Sequence, residues 1–285
     1  MPATMLRTRA VEKTWGQWRL PPPFDRLPEG RQIGEVWFAA DGDAADAPDA
    51  LLIKFLFTSD KLSVQVHPDD DEAKARGLAS GKEEAWLVLA ADPGAAIGIG
   101  LRSDVEPERL RAAALDGSIE KMLDWRPAAV GDIYYVPPGT IHSLGAGLVV
   151  LEAQQNADVT YRLYDFGRPR GLHLDEALSV ATPGPYRLPN ERRRLSANRE
   201  VLTVGRHMIM ERWLGPVSGS VESGPEGIWL TCLKGGFEVA STRVEPGQVT
   251  VVTGTETLSL DDGAELIATY PGAECRMGCL RVWHP

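Results

Sequence analysis

The stretch SVQVHPDD, from Ser63 to Asp70, follows an apolar run and ends in a turn. Alternate side chains of a strand project from the same face, so a strand here directs Gln65 and His67 to one side. An imidazole nitrogen and an amide oxygen on one face can reach the same metal ion. The stretch therefore predicts a strand that supplies two ligands of a metal site.

The composition indicates a folded protein with a substantial core. The chain has 285 residues, of which 43% are hydrophobic and 25% are charged, enough for one large or two modest domains. A formal net charge of -10 argues against a nucleic-acid partner, because nonspecific affinity for nucleic acids comes from lysine and arginine. We find no apolar run of 18 residues and no charged-then-apolar leader, and we expect a cytoplasmic protein without a membrane partner. The three cysteines lack the paired spacing of a structural zinc site, so we expect free thiols.

Short apolar segments separated by glycine, proline and aspartate predict a protein built mainly of β-strands. Helical spacing interrupts this pattern in three places: DEAKARGLASG at residues 71–81, a segment of about residues 105–125, and HLDEALSVA at residues 173–181. We expect Gly117 to divide the middle segment into two helices.

A connector rich in proline and arginine, TPGPYRLPNERRR at residues 182–194, indicates a domain boundary near Pro189. We predict that residues 1–188 form the domain with the metal site. Residues 189–285 are predicted to form a smaller β-barrel. This second part supplies no cluster of histidines and carboxylates, so we expect it to be metal-free.

The other two expected ligands lie on separate strands. Glu84 begins the strand-like run in KEEAWLVLAA, and His142 follows the tight Pro-Pro-Gly turn of GDIYYVPPGTIHSL. With the first pair they supply two imidazoles, one carboxylate and one amide oxygen. This set suits zinc and leaves a position open for substrate or water. The predicted metal ligands are Gln65, His67, Glu84 and His142.

The segment from Gly131 to His142 resembles the second motif of the cupin superfamily, in which glycine, proline, glycine and histidine recur at fixed spacing. The sequence QVH followed by Glu84 resembles the first cupin motif, with Gln65 in place of its first histidine. That replacement and the complete hallmark QVHPDD resemble the type I mannose-6-phosphate isomerase family in its short bacterial form. Segments similar to the family's follow in its order over most of residues 11–180, ending in LEAQQNADVTYRLYDFGR.

One position departs from the family pattern. Family members read GKTE or GKPE where this chain reads GKEE, from Gly81 to Glu84. We expect the extra carboxylate of Glu83 to lie near the metal. Lys82 and Glu84 keep the family spacing.

The resemblance implies an all-β fold of two cupin-type jelly-roll barrels with short helical excursions. It implies one Zn²⁺, or another divalent ion, per chain on the four ligands named above. The implied activity is a zinc-dependent aldose–ketose isomerisation of mannose 6-phosphate and fructose 6-phosphate, by proton transfer through an enediol. The residues that fall on positions lining the family's sugar-phosphate pocket are Lys82, Glu152, Asp158 and Arg162.

Proton transfer between C1 and C2 of the sugar needs a base within hydrogen-bond reach of the substrate. Glu152, Asp158, Lys82 with a lowered pKa and a metal-bound hydroxide are all candidates. Arg162 and Lys82 are the expected phosphate-binding cations, since a guanidinium can contact a phosphate through two hydrogen bonds. An alternative, catalytic role for Arg162 is to stabilise the charge of the enediolate. The plainer interpretation of Arg162 is an ion pair with Asp158 or Asp165.

Two other functions are compatible with the sequence. A metal-dependent cupin oxygenase could hold iron on the same nitrogen and carboxylate ligands, although the glutamine ligand, Lys82 and Arg162 argue against it. A non-catalytic sugar-phosphate-binding cupin would keep the pocket without turnover. The sequence indicates no oligomeric state.

Overall fold

The computed structural model describes residues 3–26, 30–39, 49–187 and 192–283. Within these ranges the chain forms 23 strands and four helices, so the prediction of a mainly β protein with short helices is confirmed. The strands form four antiparallel sheets, which pack in pairs as two β-barrels. No helix in these ranges is long and apolar enough to span a membrane.

The first barrel encloses an apolar core between two sheets. Sheet I contains, in spatial order, β2 (Arg7–Gln17), β3 (Ile33–Ala39), β4 (Leu51–Phe57), β11 (Leu148–Gln155), β6 (Glu84–Ala91) and β9 (Ile133–Val136). Sheet II contains β12 (Tyr161–Tyr164), β5 (Val64–Val66), β10 (His142–Leu144), β7 (Ala96–Leu101) and β8 (Leu123–Pro127). Trp86, Ile97 and Val150 are buried between the two sheets.

The second barrel has the same two-sheet construction. Sheet III contains β1 (Ala3–Met5), β20 (Val249–Val252), β17 (Ile228–Lys234), β22 (Glu265–Pro271), β15 (Met208–Leu214), β14 (Arg199–Val204) and β13 (Arg193–Arg194). Sheet IV contains β19 (Thr242–Val244), β18 (Phe237–Val239), β21 (Thr255–Leu260), β16 (Val217–Glu222) and β23 (Leu280–Val282). Strand β1 precedes the first barrel in the chain, yet it pairs with β20 of the second. As expected, the cysteines are free thiols: Cys232, Cys275 and Cys279.

The two barrels pack through the outer faces of sheets I and III. The alternation of LLIKFLF in β4 places Phe55 and Phe57 on this outer face and Lys54 and Leu56 inside the first barrel. Trp229 of sheet III belongs to the same buried cluster as the two phenylalanines. Sheet I is thus covered on both sides, which is why all 7 residues of β4 are buried.

Helices cover the outer face of sheet II. Leu110, Ile119 and Ala177 of these helices form a buried cluster with Val66 and Leu163 of the sheet. The covering helices are α2 (Pro107–Asp116), α3 (Ile119–Met122) and α4 (Leu174–Val180). The short helix α1 (Asp70–Lys74) follows β5 and begins with a capping box made by Asp69 and Glu72.

The helical segment predicted at residues 105–125 ends earlier than expected. Gly117 separates α2 from α3, as predicted, and adopts a φ of 80° that glycine tolerates best. From Leu123 onward the chain instead forms β8, where Leu123 pairs with Leu101 of β7. Pairing along the sheet edge therefore outweighs the local helical spacing.

The predicted boundary between residues 188 and 189 lies outside the described residues. The division into a metal-binding part, 1–188, and a metal-free barrel, 189–285, stays a prediction.

Candidate metal centre

Neighbouring strands bring the four predicted ligands together inside the first barrel. In sheet II, Gln65 of β5 lies directly opposite His142 of β10. His67 lies two residues beyond Gln65, on the same face. Glu84 is the first residue of β6 in sheet I and faces the histidines across the barrel.

Main-chain hydrogen bonds fix the turn before β10. Gly139 adopts a φ of 81°, a conformation that costs glycine little. Its N–H donates to the carbonyl of His67 at 2.9 Å, and the N–H of Thr140 donates to the carbonyl of Pro137 at 3.2 Å. The turn that carries His142 is therefore tied to the strand end that carries His67.

The ligand atoms are spaced for one metal ion. His67 Nε2 lies 3.3 Å from Glu84 Oε1, and His142 Nε2 lies 3.7 Å from Glu84 Oε2. The ligand atoms of the three residues all lie within 4.8 Å of one another, and each side chain is 1% exposed. A tetrahedral zinc ion with bonds of about 2.0–2.2 Å separates its ligands by roughly 3.3–3.6 Å. The observed spacing is close to that requirement.

Hydrogen bonds orient both imidazoles toward the same point. His67 Nδ1 lies 2.8 Å from the carbonyl of Val159, and His142 Nδ1 lies 2.8 Å from the carbonyl of Thr140. Because a carbonyl only accepts, each Nδ1 carries the proton and each Nε2 keeps its lone pair. Burial, with the charge of Lys82, lowers the pKa of His67 to about 3, and burial also lowers the pKa of His142. Both rings are therefore neutral at pH 7, the form that binds a metal.

Gln65 can complete the set once its amide is turned over. Its Nε2 lies 3.2 Å from His142 Nε2, and its Oε1 accepts a hydrogen bond from Ser63 Oγ at 3.0 Å. A serine hydroxyl also accepts, so exchanging the amide oxygen and nitrogen keeps this hydrogen bond. In the exchanged orientation Oε1 points to the histidines and can act as the fourth ligand.

Buried lone pairs at this centre have no hydrogen-bond partner. They belong to His67 Nε2 and to both carboxylate oxygens of Glu84. Lys82 Nζ lies 2.7 Å from Glu84 Oε1 as an ion pair, without the alignment of a hydrogen bond. Burial alone raises the pKa of Glu84, but Lys82 and His67 hold it well below its ordinary value. Buried polar atoms normally have hydrogen-bond partners. The unpartnered carboxylate oxygens of Glu84 and the unpartnered nitrogen of His67 therefore fit a site for a bound cation.

A second buried carboxylate, Glu152 of β11, lies beside the centre. It accepts a hydrogen bond from Trp86 Nε1 at 2.9 Å and lies 3.4 Å from Lys54 Nζ. Burial and the negative charge of Glu84 raise the pKa of Glu152, and the two lysines, Lys54 and Lys82, oppose this rise only in part. A raised pKa makes the deprotonated carboxylate a stronger base than an ordinary carboxylate.

Lys82 does not have the lowered pKa that would make it a base. Burial by itself lowers the pKa of Lys82, but Glu84 and Glu152 outweigh burial and raise it above the ordinary value. The ammonium group therefore stays charged. Lys82 can act in this pocket as a cation, and the proton-accepting alternative considered from the sequence is not supported.

Asp158 is exposed and Arg162 is half-buried. Arg162 Nη1 donates to a main-chain carbonyl at 2.9 Å, and its buried Nε has no hydrogen-bond partner. Asp165 instead accepts hydrogen bonds from Arg168 at 2.9 Å and from Arg170 at 2.6 Å. Within the described part of the chain, the predicted alternative of an ion pair between Arg162 and Asp158 or Asp165 is not formed. The guanidinium of Arg162 is available to a ligand.

One pocket collects the predicted residues. His67 lies next to the pocket, in contact with Glu84. The other predicted site residues all line it: Gln65, Lys82, Glu84, His142, Glu152, Asp158 and Arg162.

Sequence reasoning missed four charged residues of this pocket. The most informative is Lys54, whose Nζ donates to Gln154 Oε1 at 2.5 Å and lies 4.7 Å from the ring centre of Trp37. A signal was present, because a lysine in the middle of LLIKFLF must be buried, and a buried charge requires partners. The others are Lys13, Glu35 and Arg170.

Glu83 points away from the centre, so the expectation of an extra carboxylate near the metal is wrong. Successive residues of an extended chain face opposite sides, and Glu83 directly precedes β6, so the inward position of Glu84 turns Glu83 outward. The buried carboxylate of Glu83 accepts a hydrogen bond from Tyr135 Oη at 3.0 Å. It also accepts main-chain hydrogen bonds from residues 206–208 of the second barrel.

A cavity of about 1280 Å³ lies apart from this pocket. Its lining includes Trp18, Lys61 and Trp125 and contains none of the predicted site residues. The open lone pairs of His67 and Glu84 and the carboxyl group of Glu152, whose pKa is raised, lie in or beside the smaller pocket inside the first barrel instead. The chemistry is therefore assigned there.

Two barrels of paired antiparallel sheets, with a His-Glu-His group buried inside the first, match a cupin-like fold. No family model matches the chain. The mannose-6-phosphate isomerase of Streptococcus mutans serotype c is 41% identical over 149 residues, which are 50% of this chain and 47% of that protein. A mannose-6-phosphate isomerase of Bacillus subtilis is 38% identical over 137 residues, 46% of this chain and 43% of that protein. The chain thus spans about half the length of these curated relatives.

The crystal structure of the mannose 6-phosphate isomerase from Bacillus subtilis has the same fold. It superposes with a TM-score of 0.80 over 95% of this chain and 100% of that chain, at 23% identity. Together with the sequence similarity, this shared fold supports a resemblance to type I phosphomannose isomerase-like cupins. The resemblance stated from the cupin motifs and QVHPDD is confirmed.

Proposed function

We propose that this chain is a zinc-dependent aldose–ketose isomerase that interconverts mannose 6-phosphate and fructose 6-phosphate. The observation that carries the proposal is the buried group of His67, Glu84 and His142, whose ligand atoms all lie within 4.8 Å of one another. Imidazole and carboxylate ligands suit Zn²⁺, and the neutral amide of Gln65 would leave the ion more Lewis-acidic than a thiolate. Relatives named for this activity match parts of the chain at 38% and 41% identity.

A divalent ion on these four side chains would polarise the sugar's carbonyl or hydroxyl and stabilise the charge that develops on oxygen. Lys82 adds a fixed positive charge in the same pocket, 2.7 Å from Glu84. This charge keeps Glu84 ionised and favours a negatively charged substrate.

Glu152 is the residue that best fits proton transfer between C1 and C2. It is 4% exposed and its pKa is raised, whereas Asp158 is exposed to solvent. A raised pKa makes the deprotonated Glu152 carboxylate more basic than an ordinary carboxylate. Trp86 and Lys54 hold its carboxylate in place. In this proposal Glu152 removes a proton from one carbon and returns it to the other.

Arg162 provides the main phosphate contact in this proposal. Its guanidinium lines the pocket, and its Nε has no hydrogen-bond partner. A guanidinium can donate two parallel hydrogen bonds to a phosphate. Lys82 is the second substrate-binding cation and lies nearer to the metal ligands.

A coupled assay of mannose 6-phosphate conversion tests this function. The purified protein is assayed before chelation, after chelation, and after separate addition of Zn²⁺, Mn²⁺, Fe²⁺ and Mg²⁺. We expect turnover to fall to background on chelation and to return most fully with Zn²⁺. Glu84→Gln should stay inactive at every metal concentration. Glu211→Gln, which changes a buried carboxylate of the second barrel, should keep turnover at a temperature where it is folded.

Other outcomes would redirect the assignment. A protein with one tightly bound metal per chain and no conversion of mannose 6-phosphate would contradict the proposal. Sugar-phosphate binding without turnover would then indicate a binding protein. Oxygen consumption by the iron-loaded protein would indicate an oxygenase.

A further inference from the structure

Glu83 joins the metal-ligating strand to the second barrel. Its carboxylate accepts hydrogen bonds from Tyr135 Oη at 3.0 Å and from the main-chain N–H groups of Arg206, His207 and Met208 at 3.1, 3.1 and 3.2 Å. The donors Arg206 and His207 lie in the turn between β14 and β15, and Met208 begins β15. A buried carboxylate with four donors is a strong and directional contact.

The β14–β15 turn leaves no spare room around this carboxylate. A Cβ atom on Gly205 would lie 2.1 Å from Glu83 Oε1 and 2.7 Å from Tyr135 Cε2. Burial and the charge of Glu83 raise the pKa of Tyr135, so its hydroxyl remains a hydrogen-bond donor. The glycine is therefore required for the contact.

Hydrogen bonds within the first barrel also hold Lys82 and Glu83 in place. The N–H of Glu83 donates to Gln155 Oε1 at 2.9 Å, and the N–H of Gln155 donates to the carbonyl of Glu83 at 3.1 Å. The N–H of Lys82 donates at 3.0 Å to the carbonyl of Pro68, the residue after His67. The segment is thus held on one side by the first barrel and on the other by the Glu83 carboxylate.

We infer that Glu83 is a positioning residue through which the second barrel fixes the segment that bears Lys82 and Glu84. The inference rests on the proposed metal centre. It gives the second barrel a role in positioning the metal ligand Glu84. Glu83 directly precedes Glu84 in the chain, so a shift of Glu83 displaces the Glu84 carboxylate from the histidines. Groups that orient a metal ligand typically change metal affinity by about 10–100-fold when they are removed.

Zinc affinity in matched variants tests this inference. Dissociation constants for Zn²⁺ are measured by competition with a chromophoric chelator in Glu83→Gln, Gly205→Ala and the wild type. Gly219→Ala is the control, because its Cβ would lie 2.0 Å from the Arg281 carbonyl in sheet IV, with no contact to Glu83. We expect about tenfold or greater weakening in the first two variants and no change in the control. Hydrogen exchange of the amides of residues 206–208 should become faster in Glu83→Gln.

The double variant Glu83→Gln/Gly205→Ala should bind Zn²⁺ no more weakly than the single variant with the lower affinity. Both changes break the same contact, between Glu83 and the β14–β15 turn, so their effects should not add. Unchanged affinity in Glu83→Gln, with faster exchange at residues 206–208, would show a purely structural contact and overturn the inference. If Gly205→Ala does not fold, Glu83→Gln decides alone. A wild-type protein that binds no Zn²⁺ would contradict the proposed function and this inference with it.

Discussion

At the scale of single residues, the charges around Glu152 decide how the pocket can move a proton. Burial and Glu84 raise the pKa of Glu152, while Lys54 and Lys82 lower it. The four groups lie in one pocket, so the protonation of Glu152 depends on each of the others. The missed residue Lys54 is therefore expected to affect catalysis without touching a metal ligand.

The first prediction concerns Lys54→Met, which removes the cation 3.4 Å from Glu152 and keeps the length of the side chain. Loss of this positive charge raises the pKa of Glu152 further. If the deprotonated carboxylate is the base, the acid limb of the kcat/KM profile moves to higher pH, and kcat/KM on that limb falls about tenfold for each pH unit that the limb moves. An acid limb that stays in place would contradict the role given to Glu152. Lys61→Met, which removes a partly exposed cation outside this pocket, should leave the profile unchanged.

The second prediction concerns Arg162→Lys. A lysine keeps the positive charge but cannot make the two parallel hydrogen bonds of a guanidinium. We expect KM for mannose 6-phosphate to rise about tenfold, with a smaller change in kcat. Inhibition by inorganic phosphate should weaken in parallel. Unchanged KM and unchanged inhibition would show that Arg162 does not contact the phosphate.

At the scale of elements, glycines with positive φ set where helices and turns end. Gly117 separates α2 from α3, and a Cβ there would lie 2.8 Å from Tyr164 Oη. Gly94, in the turn before β7, has a similar φ of 87°, and a Cβ there would meet no atom within 4 Å. Alanine at Gly94 would introduce backbone strain alone, whereas alanine at Gly117 would introduce backbone strain and a packing clash.

The third prediction compares Gly117→Ala with Gly94→Ala. Both place an alanine in the left-handed region, which costs about 1 kcal/mol of unfolding free energy. Gly117→Ala also presses on Tyr164, and we expect it to cost about 2 kcal/mol in total. Urea unfolding of the two variants measures the difference. Equal losses would show that Tyr164 moves aside without cost.

Strand alternation explains which elements could be predicted from the sequence. The same face of β5 carries Gln65 and His67, as the spacing predicts. The outward position of Glu83 follows from the same rule, but proximity to Glu84 in the sequence suggested the opposite. The strand at Leu123 could not be predicted, because its pairing with Leu101 depends on a distant segment.

The tautomers of the two histidines could not be fully predicted from local sequence either, because the carbonyl that fixes the ring of His67 comes from a distant segment. Val159, whose carbonyl fixes the ring of His67, is 92 residues away in the chain. Pairing of β1 with β20 is likewise a long-range contact that no local pattern of residues 3–5 encodes.

At the scale of the whole molecule, four buried clusters join helices and sheets into consecutive layers. The second barrel also contains a buried ion pair, in which Arg199 donates to both carboxylate oxygens of Glu211 at 2.7 Å. Trp213 and Tyr270 donate to the same carboxylate. This network is remote from the proposed ligands and reports on the stability of the fold.

The fourth prediction is the pH dependence of stability in Glu211→Gln. Burial alone raises the pKa of Glu211, but Arg199 and Tyr270 hold it below the ordinary value of 4.5. A lowered folded-state pKa stabilises the fold above the unfolded pKa, and this contribution is lost as the pH falls through the folded value. The variant should therefore be less stable than wild type by about 3–5 kcal/mol at pH 7, because it leaves Arg199 buried without its partner. Chemical unfolding below pH 4.5 should show a smaller difference in unfolding free energy between wild type and variant. A difference that does not change with pH would contradict the role given to Glu211.

Titration of the metal-free protein with Zn²⁺ tests whether the bound metal is catalytic, with metal occupancy and mannose 6-phosphate turnover measured on the same samples. We expect turnover to rise in proportion to metal occupancy and to stop rising at one ion per chain. Glu84→Gln should show neither tight Zn²⁺ binding nor turnover. Turnover that does not follow occupancy, or full turnover in Glu84→Gln, would contradict a catalytic metal held by His67, Glu84 and His142.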